Sequence, residues 1–255
     1  MKRSIVFAAL ILFSLAHVWS QHISRDTVWV EKMVKNVDAG LPLIGSEAPS
    51  FNANSTNGKI NFPADFGKNW KILFAHPRDF TPVCSSELLE LAYEQDNFDR
   101  LGVKLLVLSY DDMKTHRSWK EALEAIEYRD RDRVNIKFPL VADENLAISE
   151  KYGMVPPGQK AGSNIRSVFF IDPENTVRAV VHYPNEVGRS TAELKRVLVA
   201  LQTTYSQENV VTPANWQQGD DVMLKYISSS EREAFDKADS KLYQYSWFMT
   251  FRKSE

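Results

Sequence analysis

The residue best suited to chemistry is Cys84, because it is the one cysteine in a sequence of 255 residues. It ends the run His76-Pro77-Arg78-Asp79-Phe80-Thr81-Pro82-Val83-Cys84. Sulfur is a strong nucleophile as a thiolate, and an ordinary cysteine with a pKa near 8.5 is only about 3% ionised at pH 7. A reactive cysteine therefore needs neighbours that stabilise the anion. The alternative for a lone cysteine is a buried, inert side chain.

A strand and a helix are predicted on either side of this run. Residues 71–75 form a short apolar stretch that is typical of a buried strand. Apolar residues recur at helical spacing after Cys84, and proline is tolerated in a first turn, so the helix should begin at Pro82 or Val83. Cys84 would then lie where free N–H groups and the helix dipole favour an anion. Thr81 is close enough across a tight turn to hydrogen-bond the sulfur or an oxygen bound beside it.

The spacing Pro77-xxx-Thr81-xx-Cys84 resembles the PxxxTxxC signature of peroxiredoxins. The nine-residue run that starts at His76 is similar to the 1-Cys, peroxiredoxin 6-like subgroup. Other positions that agree with that subgroup are Gly153-Met154 with Pro156, Arg166 in Arg-Ser-Val-Phe-Phe-Ile-Asp, Tyr183-Pro184 before Gly188-Arg189, and Thr212-Pro213-Ala214-Asn215-Trp216 with Gly219-Asp220. The resemblance extends from about residue 41 to the C-terminus.

The resemblance implies roles for further residues. Arg166 matches the subgroup arginine that reaches the cysteine, where a guanidinium stabilises the thiolate and donates to the peroxide as charge moves to the leaving oxygen. Arg189 matches a second family arginine, Glu87 is the candidate that orients one of the two, and Pro77 belongs to the signature. Without the motif, Arg166 would be interpreted as a solvated arginine at a strand end.

His76 has two interpretations that the sequence leaves open. One is a base near Cys84, where the resemblance places it, and the other is a structural hydrogen-bond donor at the end of a strand. His116 and His182 show no ligand spacing with the other candidates, so no metal site is predicted. No cofactor is expected.

The pattern between residues 41 and 205 predicts an α/β sheet protein, because short apolar runs alternate with amphipathic ones. Predicted strands cover residues 71–75, 104–109, 138–142, 167–171 and 177–182, and predicted helices cover residues 83–100, 115–128, 145–151 and 191–205. A loop-and-strand region follows and ends in the aromatic stretch 243–248, which should not be left uncovered. The resemblance implies a thioredoxin-like fold with a small C-terminal dimerisation domain. We therefore expect a peroxidase domain over 41–205 and a C-terminal 1-Cys peroxiredoxin domain over 206–255.

The N-terminus has the layout of a signal peptide. Lys2 and Arg3 precede a largely apolar run from Ile5 to Val18, and the small Ser20 follows. As a helix this run spans about 21 Å, which is shorter than a hydrocarbon core of about 30 Å and disfavours a stable membrane anchor. We predict a signal peptide over 1–20, an N-terminal extension over 21–40, and a secreted product, since the C-terminus has no KDEL-like retention signal.

The composition is that of a globular protein with a sizeable core, because 44% of the residues are hydrophobic and 25% are charged. The formal net charge of −2 gives no indication of nucleic-acid binding. Cys84 has no partner for an intrachain disulfide, so a secreted product must be held together by its core. A free thiol in an oxidising compartment indicates an inter-chain bridge or a reactive function, and the motif favours the second. Asn54-Ser55-Thr56 matches the N-glycosylation triplet.

The chemistry implied by the motif is attack of the Cys84 thiolate on a peroxide, which leaves a sulfenic acid. With no second cysteine, an external thiol must reduce that acid, and the resemblance suggests glutathione and a homodimer. A thiol–disulfide oxidoreductase is disfavoured because Glu87 stands where a Cys-x-x-Cys motif needs its second cysteine. A chaperone or signalling protein is a third class, which assembly without peroxide turnover would support.

Some 1-Cys peroxiredoxins also have phospholipase A2 activity, attributed to a Gly-x-Ser-x-Gly-like segment, a histidine and an aspartate. The aligned positions here are Asn69 for the serine, Pro63 for the histidine and Glu174 for the aspartate. An amide cannot replace a nucleophilic hydroxyl. We therefore predict that this chain lacks that activity.

Overall fold

The computed structural model describes residues 41–155, 165–228 and 241–254, so the predicted signal peptide and N-terminal extension lie outside the described residues. Its larger sheet has seven strands in the order β2-β1-β5-β4-β3-β6-β7. The strands are β1 (Phe51–Ser55), β2 (Gly58–Phe62), β3 (Trp70–Ala75), β4 (Val103–Ser109), β5 (Leu140–Ala142), β6 (Arg166–Ile171) and β7 (Val177–Tyr183). β3, β4 and β5 are parallel, whereas β6 and β7 run antiparallel to their neighbours.

Helices cover both faces of this sheet. They are α1 (Pro82–Arg100), α2 (Met113–Glu124), α3 (Ala147–Lys151) and α4 (Thr191–Ser206). Apolar side chains of α1, α2 and α4 fill one face, and side chains of α3 and the β1–β2 hairpin fill the other. The predicted α/β class is confirmed.

β3 positions the site, because it is a central strand and its six residues are all buried. A strand that is covered on both faces is expected to be apolar throughout. Lys71 is the exception, and its Nζ donates to Asn175 Oδ1 at 2.6 Å and to the Asp172 carbonyl at 3.3 Å. β3 ends at Ala75, so the loop that begins at His76 leaves the centre of the sheet.

Three predicted elements differ from the observed ones by two residues or more, each for a local reason. The strand predicted over 138–142 covers Leu140–Ala142, because Pro139 has no N–H to pair. The helix predicted over 115–128 covers Met113–Glu124, with the Asp112 side chain capping its N-terminus through the N–H of Thr115. The helix predicted over 145–151 starts later, at Ala147, because Leu146 has a left-handed φ of 60°.

The β1–β2 hairpin was missed by the sequence analysis. Phe51 pairs with Phe62 and Ser55 with Gly58, and Gly58 has a φ of 104°. The turn contains Asn57-Gly58, a dipeptide that is typical of tight hairpins. That signal, together with alternating apolar residues on both sides, was sufficient to predict the hairpin.

A second sheet of four strands, in the order β10-β11-β9-β8, follows α4. Its strands are β8 (Val210–Val211), β9 (Val222–Leu224), β10 (Leu242–Ser246) and β11 (Met249–Arg252). Val210, Trp216 and Leu224 pack with Val199 of α4 in a separate apolar cluster.

The aromatic stretch of the second sheet is only partly covered. Tyr243 stacks on Phe251, with ring centroids 5.2 Å apart. Tyr245, Trp247 and Phe248 are 76%, 84% and 63% exposed, so the rest of this chain does not cover them. Across the described ranges, no helix combines the length and apolar character needed to cross a bilayer.

Candidate active site

Cys84 lies in the first turn of α1, as predicted, and it is fully buried. Thr81 is the N-cap residue, and Pro82 occupies the first helical position, where its missing N–H costs no hydrogen bond. The hydroxyl of Thr81 donates to the carbonyl of Arg78 at 3.0 Å. The predicted hydrogen bond from this hydroxyl to the sulfur is therefore not formed, because its single hydrogen points back into the loop.

Arg166 contacts the sulfur. It opens β6, and its Nη1 lies 3.2 Å from Cys84 Sγ. Its Nε and Nη2 donate to the Asn185 carbonyl at 3.0 and 2.9 Å, which fixes the guanidinium plane. The arginine is buried rather than solvated, so the solvated interpretation is wrong.

Glu87 holds both arginines. Its Oε2 accepts from Arg166 Nη1 and from Arg189 Nη2, both at 2.8 Å. Its Oε1 accepts from the backbone N–H and the Nε of Arg189 at 2.7 and 2.9 Å. Two guanidinium groups and one carboxylate leave an excess positive charge beside the sulfur. A thiolate on Cys84 balances that charge, which favours the anion in this buried site.

Arg189 is fixed from several sides. Its Nη1 donates to the carbonyls of Ala75 and Ser167 at 2.8 and 3.0 Å, which ties it to β3 and β6. Its guanidinium carbon lies 3.4 Å from the ring centroid of Phe74. Burial lowers the pKa of Arg189, and the Glu87 carboxylate opposes that shift.

His76 follows β3 directly and is fully buried. Neither ring nitrogen has a hydrogen-bond partner among the described residues, which is not the arrangement of a structural donor. Its Nε2 lies 3.5 Å from Asp79 Oδ1. Burial, together with the charges of His116, Arg189 and Arg166, lowers the pKa of His76 well below its usual value, so the ring is neutral near pH 7.

The sequence analysis missed the buried group beneath the active-site loop. His116 Nδ1 lies 2.7 Å from Asp79 Oδ2, and the hydroxyl of Ser109 donates to Asp111 Oδ2 at 2.7 Å. His116 was set aside because its spacing fits no ligand pattern. No local signal was available, because the loop after β3 and helix α2 meet only in the folded sheet.

The remaining candidate residues differ in their exposure and in their contacts. Pro77 is half-buried in the loop after His76, and Asn54 is exposed on β1. Asn69 lies just before β3, and its Nδ2 donates to the Phe66 carbonyl at 2.9 Å. Glu174 forms an ion pair with Lys68, with 3.6 Å between Oε1 and Nζ.

A cysteine at the start of a helix and next to a guanidinium has the surroundings of a reactive cysteine rather than an inert one. Two models of known protein families match the chain. The AhpC/TSA family matches residues 44–180, and the C-terminal domain of 1-Cys peroxiredoxin matches residues 200–237. The chain belongs to the peroxiredoxin family.

Individual relatives cover most of the chain. A peroxiredoxin of Methanosarcina mazei is 43% identical over 216 residues, which is 84% of this chain and 98% of the relative. The mitochondrial peroxiredoxin PRX1 of Saccharomyces cerevisiae is 38% identical over 251 residues, which is 94% of this chain and 92% of the relative.

Solved structures are similar over nearly the same range. A yeast mitochondrial 1-Cys peroxiredoxin superposes with a TM-score of 0.73 at 38% identity, covering 83% of this chain and 99% of that chain. Peroxiredoxin 6 of Arenicola marina superposes with a TM-score of 0.71 at 31% identity, covering 84% and 98%. The predicted thioredoxin-like fold, with a second sheet in the C-terminal region, is confirmed.

Proposed function

We propose that this peroxiredoxin reduces hydrogen peroxide and organic hydroperoxides by a one-cysteine mechanism at Cys84, in antioxidant defence and redox homeostasis. The observation that carries the proposal is the contact of 3.2 Å between Arg166 Nη1 and Cys84 Sγ. Two guanidinium groups lie beside the sulfur with one carboxylate between them, and a neighbouring cation favours the nucleophilic form of a cysteine.

The first step forms an S–O bond and breaks the O–O bond. The thiolate attacks one peroxide oxygen, and the electron pair leaves with the other oxygen, which takes up a proton as water or an alcohol. Arg166 is placed to donate to that oxygen as its charge grows. The Thr81 hydroxyl donates to Arg78, so its lone pairs are free to accept the hydrogen of a bound hydroperoxide.

The second step needs a reductant from outside the chain, because the sequence contains no second cysteine. One thiol displaces water from the sulfenic acid to form a mixed disulfide, and a second thiol releases Cys84. Glutathione is the candidate, since the thiol-resolving mechanism of the yeast mitochondrial 1-Cys peroxiredoxin runs via glutathione/thioredoxin systems. Cys84 is fully buried, so the first turn of α1 must move before a bulky thiol reaches it.

The proposal extends to assembly and location. A homodimer is supported by β7, which has one strand neighbour and is an edge of the larger sheet, and by the exposed rings of the β10–β11 hairpin. Secretion is supported by residues 1–20 of the sequence, and the exposed Asn54 would then be open to glycosylation. N-terminal sequencing of protein from eukaryotic cells tests the location, and an intact Met1 on a cytosolic product contradicts it.

The test of the peroxidase is stopped-flow peroxide reduction by the mature protein beside its Cys84→Ser variant. Serine is nearly isosteric but far too weakly acidic, so the variant should consume no peroxide and keep its fold. Trapping the oxidised sulfur with a sulfenic-acid reagent checks the intermediate, and glutathione and other thiols added one at a time identify the reductant. Retained turnover in Cys84→Ser contradicts the proposal.

A further inference from the structure

A buried acid–imidazole pair lies beneath the active-site loop. The side chains of Asp79 and His116 are both 0% exposed. His116 Nδ1 lies 2.7 Å from Asp79 Oδ2, and His116 Nε2 lies 3.2 Å from the carbonyl oxygen of Val141. Helix α2 is therefore linked through one imidazole to the loop after β3 and to β5.

The hydrogen-bond chemistry fixes the number of protons in this pair. A carbonyl oxygen only accepts, so the hydrogen between His116 and Val141 must be on Nε2. An ionised Asp79 and a bare Nδ1 are both acceptors and would repel each other at this distance. One further hydrogen must lie between Nδ1 and Oδ2, whichever of the two atoms it is bonded to. The pair then has no net charge, which is the state that burial favours.

Asp79 is also the anchor of the loop that leads to Cys84. Its backbone N–H donates to Asp111 Oδ2 at 2.9 Å. The next residue, Phe80, has a φ of 54°, which is a left-handed conformation that a bulky side chain rarely adopts. Such a conformation persists only where its surroundings hold it. Asp79 restrains this conformation through the hydrogen bond of its backbone N–H to Asp111 and the contact of its side chain with His116.

The same face of α2 supports the first turn of α1. Trp119 lies one helical turn after His116, and its Nε1 donates to the hydroxyl of Ser85 at 3.3 Å. Its ring centroid lies 5.1 Å from that of His76. The two side chains of α2 therefore contact both ends of the segment that presents Cys84.

We propose that His116 is a positioning residue for the peroxidase reaction, which acts by sharing one proton with Asp79 and so fixing the loop that presents Cys84. The proposal rests on the proposed function. His116 sets the placement of the sulfur, whereas Arg166, Glu87 and Arg189 set its charge. Loss of the contact to Asp79 should therefore slow the reaction of the thiolate with peroxide. It should not change the pH at which the thiolate forms.

Two variants separate this role from simple packing. In His116→Asn the amide nitrogen is as far along the side chain as Nδ1 and donates to Asp79. In His116→Gln the amide extends to the position of Nε2, so it reaches Val141 and leaves Asp79 Oδ2 without its partner. Both variants remove the imidazole and are neutral, so each is the control for the other.

The measurements are stopped-flow oxidation of Cys84 by hydrogen peroxide and thiolate absorbance as a function of pH. His116→Asn should stay within roughly threefold of the wild-type rate, and His116→Gln should be about tenfold slower or more, since small misplacement of reacting groups is costly. The thiolate titration should be the same in all three proteins. Equal oxidation rates for the two folded variants, or a slow variant explained by a shifted titration, overturn the proposal.

A third measurement needs no variant at His116. Proton NMR of the wild-type protein labelled with 15N-histidine should show a strongly downfield proton in the bond between His116 and Asp79, in addition to Nε2–H. A wild-type spectrum with no such downfield proton overturns the shared proton even if neither variant folds. A wild-type protein that consumes no peroxide contradicts the proposed function instead, so the two failures are distinguishable.

Discussion

Arg166 Nη1 lies 3.2 Å from Cys84 Sγ although 82 positions separate the two residues in the sequence. The contact follows from the register of the sheet, in which Ala75 at the end of β3 pairs with Ser167 of β6. The residue before Ser167 is therefore at the edge from which the active-site loop departs. A shift by one residue would turn Arg166 to the opposite face of the sheet.

Arg166→Ala should slow the oxidation of Cys84 about a hundredfold, because it removes a donor aimed at the developing charge. Thiolate formation should also move to higher pH, since a neighbouring cation is lost. Arg166→Lys is the matched control, because it keeps the charge but cannot hold the Asn185 carbonyl with two nitrogens. Stopped-flow rates and thiolate absorbance measure both effects. A titration in Arg166→Ala that matches the wild type argues against this assignment.

Glu87→Gln should lower the free energy of unfolding by about 3–5 kcal/mol, because it leaves two buried guanidinium groups without their carboxylate. Thiolate formation should move to lower pH for the same reason. Glu90→Gln is the control on the same helix, since its ion pair with Arg131 is partly exposed and is expected to contribute less than about 1 kcal/mol. Urea unfolding decides the comparison, and equal losses for the two variants count against the charge-balance argument.

The stability of the protein should fall in acid partly because of His76. Its pKa is lowered in the folded state by burial and by the charges of His116, Arg189 and Arg166. Below about pH 6.5 the unfolded chain binds a proton at this position and the folded chain does not, so stability decreases as the pH falls toward the folded pKa. In His76→Gln, this contribution, at most about 1.4 kcal/mol per pH unit, should disappear.

Urea unfolding at a series of pH values between about 7 and about 5 measures that slope. His182→Gln is the control, because His182 is exposed on β7 and burial lowers its pKa less than that of His76. An unchanged slope in His76→Gln shows that His76 is not a source of the acid sensitivity.

The position of Cys84 could be predicted because its causes are local. Pro82 fits the first turn of a helix, the apolar run before His76 is a strand, and the nine-residue motif lies between them. The bounds of β3 and α1 were accordingly predicted to within one residue. The exposure of Trp247 and Phe248 could not be predicted in this way, because the contacts of these rings do not depend on their neighbours in the sequence.

Contacts across the sheet could not be predicted from the residues alone. Glu87 was expected to orient one arginine, and it holds both Arg166 and Arg189. The pair of Asp79 and His116 depends on the parallel placement of β3 and β4, whose following loops meet at one edge. These contacts depend on strand order and register, which residue spacing does not encode.

The last prediction is that this chain lacks phospholipase A2 activity while keeping its peroxidase activity. Asn69 has an amide where a hydroxyl nucleophile is needed, and that amide donates to the Phe66 carbonyl. Pro63 has no group that can accept a proton. The Glu174 carboxylate accepts from the Tyr205 hydroxyl, which lowers the pKa of Glu174, and it pairs with Lys68.

The assay is release of free fatty acid from phosphatidylcholine vesicles by the purified mature protein at acidic and neutral pH. The Cys84→Ser variant runs beside it, so that thiol chemistry is separated from hydrolysis. Asn69→Ser is the matched variant that restores the hydroxyl, and it should remain inactive because Pro63 cannot activate it as a base would. Loss of a nucleophile costs several orders of magnitude in rate, so neighbouring residues should not compensate. Fatty-acid release well above the blank by both the wild type and Cys84→Ser would show that another residue performs the hydrolysis.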